Sequence, residues 1–304
     1  LKLPAGFSQR ILSDETHLDI YRGNDWTDMQ VLNEGGTDTG RYLYRTHETR
    51  QHNDRHRDGR EGGAVSVVDL STGSTTIFAM REDWEAIDGI LWTPWNSLLV
   101  TEEQKRDSSP DPQYPDAARG LVYELFPKAD DPDQLARIRA RPLLGSLTHE
   151  GIETDREGNI YVIDEHRTGA IYRFVPDHFG DLESGRLFAL GVSDGAQTGP
   201  AEWIPLQLDR KTFDARGAAR KAGATGFCRP EDLERIGKTL YVALTCEVRD
   251  GAVLSIRLGT ENPVVHYFVE PGRNVAAENS RLRQTGFRNP DNLANGPDGR
   301  LWIS

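Results

Sequence analysis

Residues 148–176, THEGIETDREGNIYVIDEHRTGAIYRFVP, decide how this chain is read. An acid, Glu150, opens a polar turn. The turn leads to a short apolar strand, NIYVID. A polar loop ending at Gly169 then leads to a second strand, AIYRFVP. Short apolar runs bounded by Gly, Pro, Asp and Asn are strand signals. The layout recurs. Glu231 in CRPEDLE leads to TLYVAL and, past Gly251, to AVLSIRL. Asp88 leads to NSLLVTEE and, past Gly120, to LVYELFP, and Asp291 in NPDN leads to RLWIS. The spacing is 11 residues from Glu150 to Tyr161, 10 from Glu231 to Tyr241, 11 from Asp291 to Trp302 and 10 from Asp88 to Leu98. A supersecondary unit repeated at this scale predicts an all-β fold, a β-propeller.

The repeat is irregular: 62 residues from Asp88 to Glu150, 81 from Glu150 to Glu231 and 60 from Glu231 to Asp291. Long insertions at 105–119 and 198–225 account for this, and such loops tend to carry function. Further strands are expected at Tyr42–Thr46 and Gly63–Leu70, the latter followed by a hairpin turn at Ser71–Ser74. LPAGFSQRI leads into a first strand, and Thr49–Gly62 is a polar loop. The best helix-period segment is Asp131–Arg139. One domain is expected over 1–304, with a closing part beyond Ser304, since RLWIS stops inside a strand. The chain starts at Leu1, so a removed leader is expected; with it goes a periplasmic or secreted protein.

A net charge of -12 argues against a nucleic-acid partner; phosphate backbones want a basic patch. No apolar run is long enough for a transmembrane helix, and a monomer is expected. Cys228 and Cys246 are either a disulfide or two buried thiols. There is no GxSxG elbow, Gly-rich P-loop or HExxH, so no motif supports a serine hydrolase, a nucleotide hydrolase or a zincin.

Equivalent positions of successive blades converge on one channel, so Glu150, Glu231 and Asp291 are candidate ligands of a metal held by a ring of carboxylates. Glu102 and Glu103, and Asp164 and Glu165, end the strands and add to them. Calcium takes six to eight oxygens in loose geometry and suits such a ring. Asp88 is its weakest member. In Arg229-Pro230-Glu231, the proline stiffens the turn. Arg229 and Glu231 then face one pocket, a guanidinium fork beside a metal-bound carboxylate. His149, before Glu150, is either a metal ligand or, the favoured reading, a satisfied donor lying behind the ligands, and His47-Glu48 is a similar pair in weaker context.

These segments in order resemble the PhoX-type alkaline phosphatases, exported bacterial β-propeller enzymes. LPAGFSQRILS, YRTHET, TPWNSLLVTEE, THEGIETDREGNIYVIDEHRTGAIYRFVP, CRPEDLE and NPDNLANGPDGRLWIS carry the resemblance across most of the chain. It implies a six-bladed propeller hydrolysing small-molecule phosphate esters, with axial calcium and, in characterised members, iron. It makes Glu150 and Glu231 metal ligands and gives Arg229 the phosphate. Those three are the candidate catalytic residues. Glu102, Asp164 and Asp291 bind metal or lie just behind. The chain departs from the family around TPW, where the usual cysteines are missing: Asp88 stands upstream and Val100-Thr101-Glu102-Glu103 downstream. An all-oxygen set favours calcium over iron. Two other readings stand beside this one: a calcium-dependent lactonase or ester hydrolase, and a non-catalytic calcium-stabilised binding propeller.

Overall fold

The computed structural model describes residues 8–13, 27–49, 62–103, 111–246, 251–270 and 289–304, with Gly6 and Leu18. The start of LPAGFSQRI, most of the Thr49–Gly62 loop and 104–110 lie outside them. Four antiparallel four-stranded units follow one another in chain order. The first is β1 (Thr27–Leu32), β2 (Tyr42–His47), β3 (Ala64–Asp69) and β4 (Thr75–Met80). The second is β5 (Ile87–Trp92), β6 (Leu98–Glu102), β7 (Val122–Pro127) and β8 (Leu135–Ala140). The third is β9 (Ile152–Thr154), β10 (Ile160–Ile163), β11 (Ile171–Pro176) and β12 (Gly185–Val192). After β13 (Gly199–Pro205) and helix α1 (Ala215–Ala222) comes the fourth: β14 (Pro230–Ile236), β15 (Thr239–Leu244), β16 (Ala252–Arg257) and β17 (Val264–Val269). β13 pairs with both β12 and β17, so the third and fourth units form one nine-stranded sheet. β18 (Leu293–Asn295) and β19 (Leu301–Ile303) make a two-stranded fifth unit.

The units are propeller blades. The middle strands read as continuous apolar runs because both of their faces are covered by neighbouring blades. On β10, Ile160 and Val162 join a core with Leu99 and Val122 of the second blade; Tyr161 and Ile163 join one with Leu240 and Val242 of the fourth. A third core, including Tyr44, Val67, Leu98 and Tyr123, fills the space between the first and second blades. The outer strand β8 lacks this cover and consists of half-buried and exposed residues.

The innermost strands β1, β5, β9, β14 and β18 touch in that order, and Asn292 Nδ2 donates to Asp28 Oδ1 at 3.3 Å, which brings the last beside the first. Together they line an axial cavity of about 820 Å³. An inner strand presents unpaired N–H groups on its free edge, which need partners. Acids of the preceding blade supply some of them. Glu153 Oε2 accepts from Arg235 N (3.0 Å), Asp232 Oδ2 from Leu293 N (2.7 Å) and Glu234 Oε2 from Asn295 N (3.1 Å).

Three expectations change. The polar stretch after each repeated acid contains the blade's inner strand, not only a turn; its polarity comes from facing the channel. Asp131–Arg139 is not helical, since Leu135–Ala140 is the outer strand β8. The insertion 198–225 is not a plain loop but carries β13 and α1. Asp214 caps α1 by accepting from Gly217 N (3.1 Å), and Gly223 closes it at φ +79°. The helix then docks through Arg216, whose Nε and Nη2 donate to Asp164 at 2.6 and 2.5 Å while Nη2 also reaches Thr148 Oγ1 (3.1 Å).

Asp164 is fully buried and Arg216 nearly so. Removing one partner of such a pair leaves an uncompensated charge. Arg216→Ala is therefore expected to cost about 3–5 kcal/mol in urea unfolding; a loss below about 1 kcal/mol would show the pair to be dispensable.

Candidate metal centre

Each acid of the repeat sits at the top of its inner strand, on a local device built from backbone. In three blades the ladder slips just there: between Thr27 and Gln30, between Ile87 and Ile90, and between Pro230 and Leu233. These are β-bulges, which bend a strand and re-aim its side chains. Asp28, Asp88 and Glu231 lie inside them. Two residues before the acid, Ala86, Arg229 and Asn289 have φ of +44°, +47° and +49°. At this station the carbonyl of the same blade's inner segment accepts an N–H from the end of its second strand. Ala86 O accepts from Glu103 N (2.9 Å), Thr148 O from Glu165 N (2.8 Å) and Arg229 O from Thr245 N (3.1 Å).

The acid-bearing segments interlock around the axis. Gly151 N donates to Glu231 O (2.9 Å), and Thr101 Oγ1 donates to Glu150 O (2.6 Å). A Cβ on Gly89 would collide with that same Glu150 carbonyl, and one on Gly151 would collide with Asp232. Glycine is required here for close approach rather than for a positive φ.

The second strands end on a matching pair of positions. The first of each pair faces into the blade stack and is spent on structure. His47 Nε2 bonds Ser66 Oγ (2.7 Å), Glu102 accepts from Glu85 N (2.9 Å) and Leu121 N (3.2 Å), and Asp164 holds Arg216. The next residue faces the axis: Glu48, Glu103, Glu165 and, in the fourth blade, Thr245, whose hydroxyl bonds Glu231. Two groups of carboxylates result, each with ligand oxygens within 4.8 Å of one another: Asp28, Glu48 and Asp88, and Glu150, Glu165 and Glu231.

Burial and mutual repulsion set the electrostatics. Burial, then Asp28, Glu48 and Glu103, hold the Asp88 carboxyl well above the usual carboxylate range. Burial, then Asp88 and Glu231, do the same to Glu150, which links the two groups. Asp291, on the exposed lip, is raised by burial and by Glu231 and Asp28. Asp88 Oδ1, Glu150 Oε2 and Glu231 Oε2 are buried and accept no hydrogen bond from the described residues. Arg229 reaches across the second group, pairing with Glu165 and, at 3.0 Å, with Glu231. Burial opposes its charge, but Glu231, Glu165 and Glu150 outweigh that and raise its pKa. Cys228 and Cys246 form a disulfide. It ties the residue before Arg229 to the residue after Thr245 and settles a pairing that the sequence left open.

Of the residues expected from sequence, Glu150, Glu231 and Arg229 come together, and Asp291 lies beside them. Glu102 and Asp164 do not reach the cluster. They stand one position too early on their strands, and their neighbours Glu103 and Glu165 face the axis. Asp88, expected to be marginal, is fully buried in the first group. Asp28 escaped the sequence reading because the 33–41 connection lengthens its spacing to the next strand. His149 points away from the acids: its Nε2 meets Gly145 O at 3.0 Å, and burial pushes its pKa down to about 4.

Fold and site together define a β-propeller with carboxylates gathered at its axis and an arginine among them. The comparisons narrow it. The family described as "Alkaline phosphatase PhoX" matches residues 88–304. Among solved structures, Pseudomonas fluorescens PhoX in complex with vanadate, a transition state analogue, aligns at a TM-score of 0.63 with 18% identity over 92% of this chain and 74% of that one. A putative oxidoreductase (glucose dehydrogenase) from a Thermus species aligns at 0.49 with 15% identity, over 93% and 78% of the chains. A putative hydrolase from Bacteroides ovatus aligns at 0.47 with 11% identity, over 93% and 79%. No curated protein matches. The chain belongs to the PhoX alkaline phosphatase family and is with it a phosphoric ester hydrolase.

Two predictions follow from the geometry. Gly89→Ala forces the Glu150 carbonyl outward. We expect a clear loss of thermal stability, and an unchanged melting temperature would refute the interlock. The second concerns pH. Burial pushes Glu102 up to about 8 and Glu153 up to about 7. A folded-state pKa above the unfolded one stabilises below the unfolded value, and the gain is lost as pH rises through the folded value. The urea midpoint of chelator-treated protein should therefore fall between pH 5 and 9. Glu153→Gln should flatten the part between pH 5 and 7, and a midpoint rising across this range would contradict the assignment.

Proposed function

We propose that the protein hydrolyses small-molecule phosphate esters at the two carboxylate groups, with Arg229 gripping the phosphate. The observation that carries this reading is Arg229 itself, a cation with its guanidinium drawn into one of two oxygen-only ligand clusters. The donor chemistry fits hard divalent cations. The pool is built of carboxylates, with orphaned buried oxygens on Asp88, Glu150 and Glu231. No thiolate is available, because both cysteines are in the disulfide. Such a set suits calcium rather than iron. Asp28, Glu48 and Asp88 would hold one ion and Glu150, Glu165 and Glu231 another, with Glu103 and Asp291 close by. Bound cations supply positive charge opposite the phosphoryl oxygens.

The chain's own residues do the rest. Arg229 presents a fork that matches two phosphoryl oxygens and stabilises the charge that grows on them. Its backbone N–H donates to His166 O (3.0 Å) and its carbonyl accepts from Thr245 N (3.1 Å), so its main chain is fixed while the side chain, 43% exposed, is free to exchange carboxylates for substrate. Thr245 orients Glu231 through its hydroxyl. The disulfide also supports export, since such bonds persist in oxidising compartments. No helix among the described residues is long and apolar enough to cross a membrane.

Chelator-treated protein should be inactive on aryl phosphates and regain turnover with calcium. Arg229→Ala should lower kcat/KM by about 10²–10³, with Arg229→Lys between the two. Absence of turnover with calcium or iron would sink the phosphatase reading for this chain. Full activity in Arg229→Ala would remove the clamp alone.

A further inference from the structure

Beside the carboxylate pool the site has a basic flank. The turn 164–169 is held between two segments. On one side Arg229 N donates to His166 O (3.0 Å) and Phe227 N to Gly169 O (2.7 Å). On the other, α1 reaches over it: Arg216 takes Asp164, and Arg220 Nη2 donates to Thr168 Oγ1 at 3.0 Å. In a chain of net charge -12, Arg119, Arg216 and Arg220 all lie near this turn.

These cations differ in what they already hold. Arg216 is spent on Asp164, and Arg119 Nη1 bonds Asp214 Oδ1 (3.2 Å). Arg220 is exposed and bonds a neutral hydroxyl, and among the described residues no carboxylate pairs with it. His166 is half-buried, and its Nδ1 accepts the backbone N–H of Thr168 at 3.2 Å. The neutral ring then carries its proton on Nε2, as a donor. The same turn starts at the metal group with Glu165 and ends at Thr168 under Arg220. The Cα atoms of Glu165 and Thr168, three residues apart, therefore lie at most about 10–11 Å from one another, which sets the scale of a molecule carrying two phosphates.

We propose that Arg220 and His166 Nε2 form a second anion subsite, which selects phosphate esters carrying a further phosphate group. This rests on the phosphatase reading above, in which Arg229 and the carboxylate-bound cations hold the ester phosphate. Arginine suits the role because its planar fork matches phosphate oxygens. The helix that carries Arg220 lies in an insertion between blades, where such specificity can be built without disturbing the ring.

The test compares a sugar bisphosphate with the corresponding sugar monophosphate, using calcium-loaded enzyme. Wild type should favour the bisphosphate in kcat/KM. Arg220→Ala should cut that preference about tenfold, mainly through KM, as expected for one charge-assisted hydrogen bond. Arg220→Lys should recover part of it. No preference in wild type, or one that Arg220→Ala leaves intact, would overturn the subsite while leaving the phosphatase reading in place. If neither ester is hydrolysed with any metal, the phosphatase reading has failed. Calorimetric binding to chelator-treated protein still decides the subsite. Tighter binding of the bisphosphate that is lost in Arg220→Ala supports it, and equal affinities refute it.

Discussion

Carboxylates gathered in a dry place repel one another, and the rest of this molecule is arranged around withstanding that repulsion. Two unit charges 4 Å apart cost about 4 kcal/mol at an effective dielectric of 20. Asp88 and Glu150, linked by that interaction and both buried, respond with raised pKa values. Side-chain packing alone would let such groups move apart. Here their backbones are held: strand-end hydrogen bonds at three stations, bulges in three blades and glycine contacts between blades tie the acids to their neighbours. A pool of this kind is unfavourable when charged without cations and favourable with them, so cation binding and fold stability become linked quantities.

The same strand ends serve two purposes by alternation. Glu102 and Asp164 look inward between blades and are consumed by backbone amides and by Arg216. Glu103 and Glu165, one residue on, look to the axis. A one-residue shift of register would exchange the two sets and dismantle both the packing and the pool. The double acids Glu102-Glu103 and Asp164-Glu165 are thus not redundant ligands but one structural and one axial carboxylate each.

This alternation also explains what could be read from sequence. NIYVID, TLYVAL and NSLLV were legible because strands covered on both faces carry an uninterrupted apolar signal. The inner strands were not, since half of PEDLERI consists of charged groups that cap the next blade's amides or face the channel. The acids at their tops were found by spacing, which works only where the hairpin to the second strand is short; Asp28 fails that condition. Choosing between Glu102 and Glu103 needed the strand's exact end, which an apolar run does not mark. The Ala-rich, basic stretch 215–222 hid its helix because eight residues are too few to show a clear period.

Arg229 is the clearest case of local cost kept for a reason outside packing. A non-glycine residue in the left-handed region is held at a cost of order 1–3 kcal/mol. The equivalent stations carry Ala86 and Asn289, which share the conformation; asparagine tolerates it well. An arginine gains nothing from it in the core, because its side chain is 43% exposed. What the conformation secures is direction. With Pro230 fixing the next φ and the Cys228–Cys246 bond fixing the residue before, the guanidinium leaves the chain toward Glu165 and Glu231 rather than toward solvent. The bulges place negative charge at the axis in blade after blade, and this one station places positive charge against it. Under the proposed function, that asymmetry is what would let a ring of carboxylates holding cations also take an anion beside them.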